Sequence, residues 1–184
     1  PHLSITGACS AEWVPIKPKT DPAFMFALMH VLMIEHPHDE LDLPFLRDRT
    51  SSPYLVGPDG LYLRDAENRK PLVWDEILGQ AVPFDQAGIQ PALTGSFPVS
   101  GAVSVDADDA CNRMDGVMGV TAFSKLVEHI RKYSPEWAAE ICDVPAATIR
   151  RIANEYLAAA SIGETTVIDG VTLPFRPVAV TLGK

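Results

Sequence analysis

Apolar positions along the chain first form a continuous run and then shorter periodic groups. Residues 23–35 are apolar on nearly all sides, with His30 inside the run, which predicts a helix buried on most faces. The run is shorter than the roughly 20 apolar residues that a membrane span needs. We therefore interpret it as a core helix that carries a buried histidine. Asp21 is predicted to cap this helix, and Pro22 suits its first position.

Three more helices are predicted near the C-terminal side, over 121–133, 135–142 and 145–160. The last places its apolar residues on one face at helical spacing: Ile149, Ile152, Ala153, Tyr156 and Leu157. A short helix or irregular segment is expected over 41–53. Prolines 135 and 145 stand where two of the helices begin.

Strand-like runs predict two hairpins and three single strands. One hairpin spans 54–63 around a Gly-Pro-Asp-Gly turn, and the other spans 165–175 around Asp169-Gly170, which suits a type I′ turn. Single strands are expected at 12–16, at 71–75 and at 178–182, the last buried. Residues 79–119 are rich in Gly, Pro and Asp with weak periodicity, so we expect a loop-rich insertion with short strands such as 102–105.

This order of elements predicts an α/β fold with hairpin and loop-rich insertions. We expect one α/β domain in three segments. Residues 1–40 form a strand-to-helix segment that contacts a nucleotide, 41–120 a hairpin and loop-rich arm, and 121–184 helices, a hairpin and a buried strand. Because the last apolar run leads into Gly-Lys, we also expect the chain to be part of a longer polypeptide.

Charge and cysteine content exclude several functional classes. The net charge is −9 and the isoelectric point about 4.9, whereas nucleic-acid binding normally requires a basic face. We therefore expect no nucleic acid as a partner. The three cysteines are far apart and form no Cys-x-x-Cys pair, which disfavours a zinc ribbon, a self-contained iron–sulfur site and a disulfide framework.

The best candidate for chemistry is the turn formed by Lys17, Pro18, Lys19, Thr20 and Asp21. It lies where a predicted strand passes into a helix, a common place for nucleotides in α/β folds. The helix N-terminus and the two lysines suit phosphate. A carboxylate can accept hydrogen bonds from both N1–H and N2–H₂ of guanine. In the alternative interpretation, the aspartate simply caps its own helix and the lysines are solvated.

No catalytic constellation is present. The sequence has no Gly-x-Ser-x-Gly elbow, no Walker A motif and no His-Glu-x-x-His. Residues 36–40 contain two histidines and two acids, but Pro37 prevents helical ligand spacing, so solvated loop residues are the preferred interpretation. Residues 47–52, Arg-Asp-Arg-Thr-Ser-Ser, could meet an anion, with a surface salt-bridge loop as the favoured alternative.

Two stretches resemble the molybdopterin oxidoreductases of the dimethyl sulfoxide reductase family. Residues 11–23, Ala-Glu-Trp-Val-Pro-Ile-Lys-Pro-Lys-Thr-Asp-Pro-Ala, resemble the family segment Ala-Asp-x-Trp-Leu-Pro-Ile-Arg-Pro-Gly-Thr-Asp-Ala-Ala-Leu. Residues 135–153, which begin Pro-Glu-Trp-Ala, resemble Pro-Glu-Trp-Ala-x-x-Ile-Thr-Gly-Val-Pro-x-x-x-Ile-Arg-x-x-Ala. Residues 49–56 and 73–75 look most like the acetylene hydratase-like and phenylacetyl-CoA-oxidising branch.

The resemblance implies part of a catalytic subunit with a bis(molybdopterin guanine dinucleotide) cofactor that holds molybdenum or tungsten. Asp21 would bind the guanine edge, with Thr20 and the backbone of residues 17–19 beside it. The resemblance also implies an iron–sulfur cluster in an N-terminal part outside this chain. The chain departs from the family pattern at two positions. Lys19 stands where the family often has Gly, and His2 stands where the family usually has Arg. None of the cysteines matches the metal-ligand position, so no metal ligand is assigned.

The expected partners are the remaining domains of the same polypeptide, an iron–sulfur electron-transfer subunit and a small-molecule substrate. The expected activity of the whole protein is electron or oxygen-atom transfer, and this piece alone is expected to be inactive. The alternatives are a non-redox, hydratase-like member of the family and a non-catalytic α/β structural fragment. The compartment is undetermined, either cytoplasmic or exported and membrane-associated through partner subunits.

Overall fold

A computed structural model describes residues 5–181 of the chain as a mixed α/β structure, which confirms the predicted class. Its helices are α1 (Ile5–Ala8), α2 (Asp21–His30), α3 (Leu43–Arg49), α4 (Ala122–Ile130), α5 (Pro135–Cys142) and α6 (Ala146–Ala159). Its strands are β1 (Leu55–Val56), β2 (Arg64–Asp65), β3 (Leu72–Asp75), β4 (Gln80–Pro83), β5 (Ser96–Val99), β6 (Ala102–Val105), β7 (Cys111–Met114), β8 (Val117–Thr121), β9 (Thr165–Ile168) and β10 (Val171–Pro174).

The described residues divide into two compact units. The first comprises the residues up to Asp42 together with those from His129 onward, and the second comprises Leu43–Glu128. The first unit is therefore built from two separate stretches of the chain, and the second unit is inserted between them. The predicted segment limits at 40 and 120 differ from these boundaries at 42 and 128.

The core of the first unit is a packing of α2 against α5 and α6. Ala23 and Ala27 on α2 are buried, and small side chains at these positions let the helices approach closely. They share one apolar cluster with Ala138, Cys142, Val144 and Ile149. His30 is also buried, and its Nδ1 lies 3.2 Å from the carbonyl oxygen of Ile130. The predicted core histidine is therefore confirmed, and α2 continues into a π-helical turn at Val31–Glu35.

Local signals in the sequence explain the ends of α5. Ser134 accepts a hydrogen bond from the Trp137 N–H at 3.3 Å, and Pro135 occupies the first turn. Asp143 ends the helix in the left-handed conformation, with φ of 59°. The predicted helices over 135–142 and 145–160 are confirmed, and the predicted helix over 121–133 is shorter, at Ala122–Ile130.

The second unit contains α3, most of α4 and several small antiparallel sheets. Strands β1, β8 and β5 form one sheet, β2, β6 and β7 a second, and β3 with β4 a third. Leu55, Leu63, Leu72, Val99 and Ala102 form its buried cluster. Leu63 N–H donates to the carbonyl of Leu55 at 2.8 Å and Val56 bridges antiparallel to Tyr62, so the hairpin predicted over 54–63 is confirmed. The strand predicted at 71–75 is confirmed as β3.

The hairpin of β9 and β10 in the first unit follows the prediction. Ile168 and Val171 face each other across the turn, and Asp169 and Gly170 have φ of 51° and 78°. Both positive values are what a type I′ turn requires.

Two predictions of single strands are wrong. Residues 12–17 form no strand, and no described strand pairs with them. The Lys17 N–H donates a hydrogen bond to the carbonyl of Cys142, at the end of α5. Residues 178–181 are not a buried strand but an irregular, largely exposed segment, again with no described strand beside them, and Leu182 lies outside the described residues. The insertion predicted over residues 79–119 is confirmed: it consists of the short strands β4 to β7 and the start of β8, joined by turns and loops, and β6 is the strand expected at 102–105.

Candidate functional site

The segment that carries the candidate residues is fastened to the end of α5 and then turns into α2. Lys17 N–H donates to the carbonyl of Cys142 at 3.0 Å. The Lys17 carbonyl in turn accepts from the Thr20 N–H at 3.3 Å and from the Thr20 hydroxyl at 2.6 Å. These bonds close residues 17–20 into a tight turn directly before α2. The structure therefore brings the predicted turn and the predicted helix start together.

Lys19 occupies the strained position of this turn. Its φ is 69°, in the left-handed region where a residue with a Cβ costs about 1–2 kcal/mol. Its side chain is exposed and forms no hydrogen bond or ion pair with the residues that the structure describes. Lys19 is the position where the resembling family often has Gly. The backbone at this site thus adopts a conformation that favours glycine, although the residue is lysine.

Asp21 is the first residue of α2 and not its cap, so the capping prediction is wrong. The N-cap is Thr20, and no side chain caps the helix, because the Thr20 hydroxyl points back to the Lys17 carbonyl. The Asp21 side chain is exposed and, within residues 5–181, has no hydrogen-bond or ion-pair partner. A carboxylate at a helix N-terminus is favoured by the helix dipole. Both oxygens of Asp21 remain free to accept hydrogen bonds.

Asp21 lies in the wall of a cleft of about 430 Å³ in the first unit. The volume falls within the range of small-molecule sites, about 300–1,000 Å³. Apolar side chains supply most of the remaining wall: Val14, Ile16, Phe24, Met25, Val144, Ile152 and Val180. Glu12, which ion-pairs with Arg151 at 2.6 Å, stands at the edge. The arrangement is an apolar cleft with one free carboxylate, which suits a flat ring with donors on one edge.

Of the site residues predicted from the sequence, Asp21 lines this cleft and residues 17–20 do not, and the apolar wall was not predicted. The sequence pattern places Ile152 on the apolar face of α6 as a core residue, and Phe24 in a helix buried on most faces. The side chain of Phe24 is only partly buried. The sequence does contain a signal for this wall, because α2 has more apolar residues than its packing against α5 and α6 can bury.

Other residues with chemical potential lie apart from the cleft. His36 bonds through Nδ1 to Glu40 and through Nε2 to Asn154, each at 2.7 Å, so it serves a surface network. The bond to Asn154 is the main reason why the pKa of His36 is raised above its ordinary value. Among residues 5–181, no group of three or more His, Cys, Asp or Glu side chains could hold a metal ion. Cys142 is buried, whereas Cys9 and Cys111 are exposed free thiols.

An ion-pair cluster that the sequence analysis did not identify joins α6 to the start of α5. Arg150 contacts Glu35 at 2.8 Å and also Glu136. The hydrogen bond from Arg150 holds the pKa of Glu136 at about 2. The cluster is not in the wall of the cleft, and its role is to hold the three elements together.

Within residues 5–181, no helix combines the length and the apolar character that crossing a bilayer would require.

Comparison with known proteins agrees with the resemblance noted in the sequence. A sulfite dehydrogenase subunit of Allochromatium vinosum is 31% identical over 164 residues, covering 80% of this chain and 15% of the relative. A protein of Halobacterium salinarum named as a putative dimethyl sulfoxide reductase catalytic subunit is 30% identical over 144 residues, covering 77% of this chain and 16% of the relative. No family model matches the chain.

Both relatives are named as oxidoreductase subunits. The two similarities therefore agree with the resemblance of this chain to the molybdopterin oxidoreductase family. The chain spans about one sixth of the length of the two relatives. What the similarity covers is therefore a segment comparable to part of an oxidoreductase subunit.

Proposed function

We propose that this chain supplies part of the cofactor site in a molybdenum or tungsten oxidoreductase, by binding the guanosine end of a molybdopterin guanine dinucleotide. The observation that carries the proposal is the partner-free carboxylate of Asp21 in the wall of an apolar cleft. Similarity to two oxidoreductase subunits supports it independently.

The residues of the cleft fit the guanosine end of such a group. The Asp21 oxygens can accept from N1–H and N2–H₂ of guanine, whereas adenine has no such pair of donors. The apolar walls suit the faces of a purine ring. Lys17 and Lys19 are exposed beside the turn, and no described acid neutralises them, so they are available to phosphate.

When bound, the cofactor would supply the electron and oxygen-atom transfer chemistry at its metal. The role of this chain is to hold and orient the nucleotide end. The bond from Lys17 N–H to the Cys142 carbonyl fixes the turn relative to α5, and the free carboxylate then selects guanine. We propose no metal ligand and no catalytic residue within the chain.

We also propose the assembly that such a role requires. The remaining domains of a longer polypeptide would complete the site, an iron–sulfur cluster and an electron-transfer subunit would carry electrons, and a small molecule would be the substrate. The finer placement in the acetylene hydratase-like and phenylacetyl-CoA-oxidising branch rests on residues 49–56 and 73–75. A redox assay separates an electron-transferring member from a hydratase.

Nucleotide binding tests the cleft directly. The purified chain is titrated with GMP and with AMP by calorimetry, and we expect GMP to bind more tightly. Asp21→Asn replaces one acceptor oxygen with a donor, so we expect GMP affinity to fall about tenfold to a hundredfold. Asp108→Asn is the matched control, because Asp108 is exposed and its carboxylate has no described partner.

The two possible failures have different meanings. If a folded chain binds neither nucleotide, or binds GMP equally well after Asp21→Asn, the guanine site is refuted. The cofactor content of the longest natural polypeptide that contains this segment tests the whole-protein proposal. Molybdenum or tungsten with released GMP supports it, and a folded natural chain with neither would leave a non-catalytic structural role.

A further inference from the structure

The second unit contains a cleft of about 590 Å³ at the C-terminal end of α3. Two arginines, Arg47 and Arg49, lie in its wall together with Ser51 and Tyr54, which carry hydroxyl groups. Apolar residues, among them Phe84, also line the cleft. This cleft lies wholly within the second unit and shares no residue with the cleft that contains Asp21.

The two arginines have no partner among the residues that the structure describes. In the part of the chain that the structure describes, neither forms an ion pair or a hydrogen bond. The favoured prediction of a surface salt-bridge loop over residues 47–52 is therefore wrong. Asp48 also lies in the wall, but it does not pair with either arginine. The cause is geometric, since consecutive side chains on a helix point in different directions.

Arg47 supplies the strongest indication of a ligand. Its Nε is buried, with no hydrogen-bond acceptor among the described residues. Buried donors are nearly always paired, because an unpaired one loses its hydration without compensation. An anion held in the cleft would compensate the charge of this guanidinium, whose planar form is suited to two parallel bonds with a carboxylate.

Hydroxyl groups beside the arginines have donors to spare. Ser51 accepts a hydrogen bond from the Tyr62 hydroxyl at 3.4 Å, so its own proton remains free. The Tyr54 hydroxyl has no hydrogen-bond partner among the described residues. Burial is the main reason why the pKa of Tyr54 is raised, so the phenol stays protonated and can donate. Thr50 is occupied, because its hydroxyl donates to the Leu46 carbonyl at 2.6 Å.

Charge and shape together restrict the ligand. Two guanidinium groups and the one carboxylate of Asp48 leave a single positive charge in the wall. A single negative charge complements it, and the net charge of −9 on the chain disfavours an anion of higher charge. The rings of Tyr54 and Phe84 lie 5.4 Å apart at 56°, next to Ile89 and Pro91. Such walls suit an apolar body of ring size.

We propose that this cleft binds a small monocarboxylate whose apolar body is about the size of one ring. The carboxylate contacts Arg47 and Arg49, with Ser51 and Tyr54 as additional donors. The apolar body lies against Phe84 and Ile89. The proposal does not depend on the nucleotide cleft, because the two sites are built from different residues in different units.

Benzoate is the probe, and benzamide and inorganic phosphate are its comparators. Each is titrated into the purified chain by calorimetry at low salt, with circular dichroism of every variant to check folding. We expect benzoate to bind, and benzamide, which has the same ring without the charge, to bind at least about tenfold more weakly. Phosphate, which has charge without an apolar body, is expected to bind more weakly than benzoate.

Three variants locate the site. Arg47→Gln is expected to weaken benzoate binding about tenfold to a hundredfold, because one charge-assisted pair is lost. Arg49→Gln, at an exposed residue that should tolerate the change, is expected to weaken it about tenfold. Arg131→Gln is the matched control, since Arg131 is exposed, unpaired among the described residues and outside the cleft. The affinity of this variant for benzoate should be unchanged.

Several results would overturn the proposal. If a folded chain does not bind benzoate, the proposal is refuted. The arginines then only interact with the negative end of the α3 dipole. Equal binding of benzamide would refute the role of charge, and equal or tighter binding of phosphate would refute the apolar body. If Arg47→Gln fails to fold, Arg49→Gln decides the outcome, because unchanged affinity in that variant also refutes the site.

Discussion

Replacing Lys19 with glycine should make the protein more stable. The left-handed φ of 69° at this residue costs a side chain about 1–2 kcal/mol, and glycine removes that cost. Glycine also gives the unfolded chain more freedom, which lowers stability by about 0.4–1 kcal/mol. No described contact is lost, since the lysine side chain is exposed and unpaired. The difference is a gain of about 0.5–1 kcal/mol.

Thermal unfolding measures this difference. For a chain of this size, a gain of 1 kcal/mol raises Tm by about 2–4 °C, so Lys19→Gly should raise it by about 1–4 °C. Lys19→Ala keeps the strain and removes the charge, and its Tm should stay close to that of the parent. Lys17→Gly, at a residue without positive φ, should lower stability by about 0.4–1 kcal/mol.

The reasoning is refuted if Lys19→Gly lowers Tm as Lys17→Gly does. That result would mean that the lysine side chain stabilises the turn through an interaction that outweighs the backbone strain. A rise in Tm for Lys19→Ala as large as that for Lys19→Gly would assign the effect to charge instead of backbone conformation.

Three further predictions concern the cores and the ion-pair cluster. Ile149→Ala, in the fully buried core of the first unit, should destabilise by about 2–5 kcal/mol in chemical denaturation, whereas Ile77→Ala at an exposed site should stay within about 0.5 kcal/mol. Gly119→Ala places a Cβ 2.9 Å from Leu63 Cδ1 and should cost about 1–3 kcal/mol; an unchanged midpoint would contradict the packing. Folding lowers the pKa of Glu136 from 4.5 to about 2, so its stabilisation is present above pH 4.5 and is lost as the pH falls towards 2. Because this side chain is 61% exposed, the effect is below about 1 kcal/mol, and Glu136→Gln should flatten the stability profile in that range.

Local signals allowed much of the fold to be predicted from the sequence. Asp169-Gly170 specifies its turn through the positive φ of two consecutive residues, and Ser134-Pro135 marks a helix start through a hydroxyl acceptor and a fixed φ. These effects involve neighbours in the chain only, and the structure agrees with them.

Features that depend on distant partners were not predictable in the same way. β6 does not alternate between apolar and polar residues, because Ala102, Val103 and Ser104 are all buried. The extended run at 12–16 has the composition of a strand, but a strand also requires a neighbour, and none of the described strands pairs with it.

The candidate site shows the same limit. The sequence indicates Asp21 through its residue type and its place before a helix, but it also suggests that the carboxylate caps α2. The structure differs because Thr20 bonds back to Lys17, and Asp21 has no partner among residues 5–181. The arginines at 47 and 49 have the pattern of a salt-bridge loop, and only the arrangement of neighbouring strands shows that they line a cleft.

The division of the first unit into two stretches has a consequence for how the protein folds. Contacts such as Lys17 N–H with the Cys142 carbonyl can form only after the whole of residues 43–128 has been enclosed as a loop. Closing a disordered loop becomes more costly with its length, by about 0.6 kcal/mol for each doubling. A second unit that has already collapsed would act as a short, stiff connector between Asp42 and His129, where the two stretches of the first unit end and begin. We therefore expect the inserted unit to fold first and the discontinuous unit to follow as the slower phase.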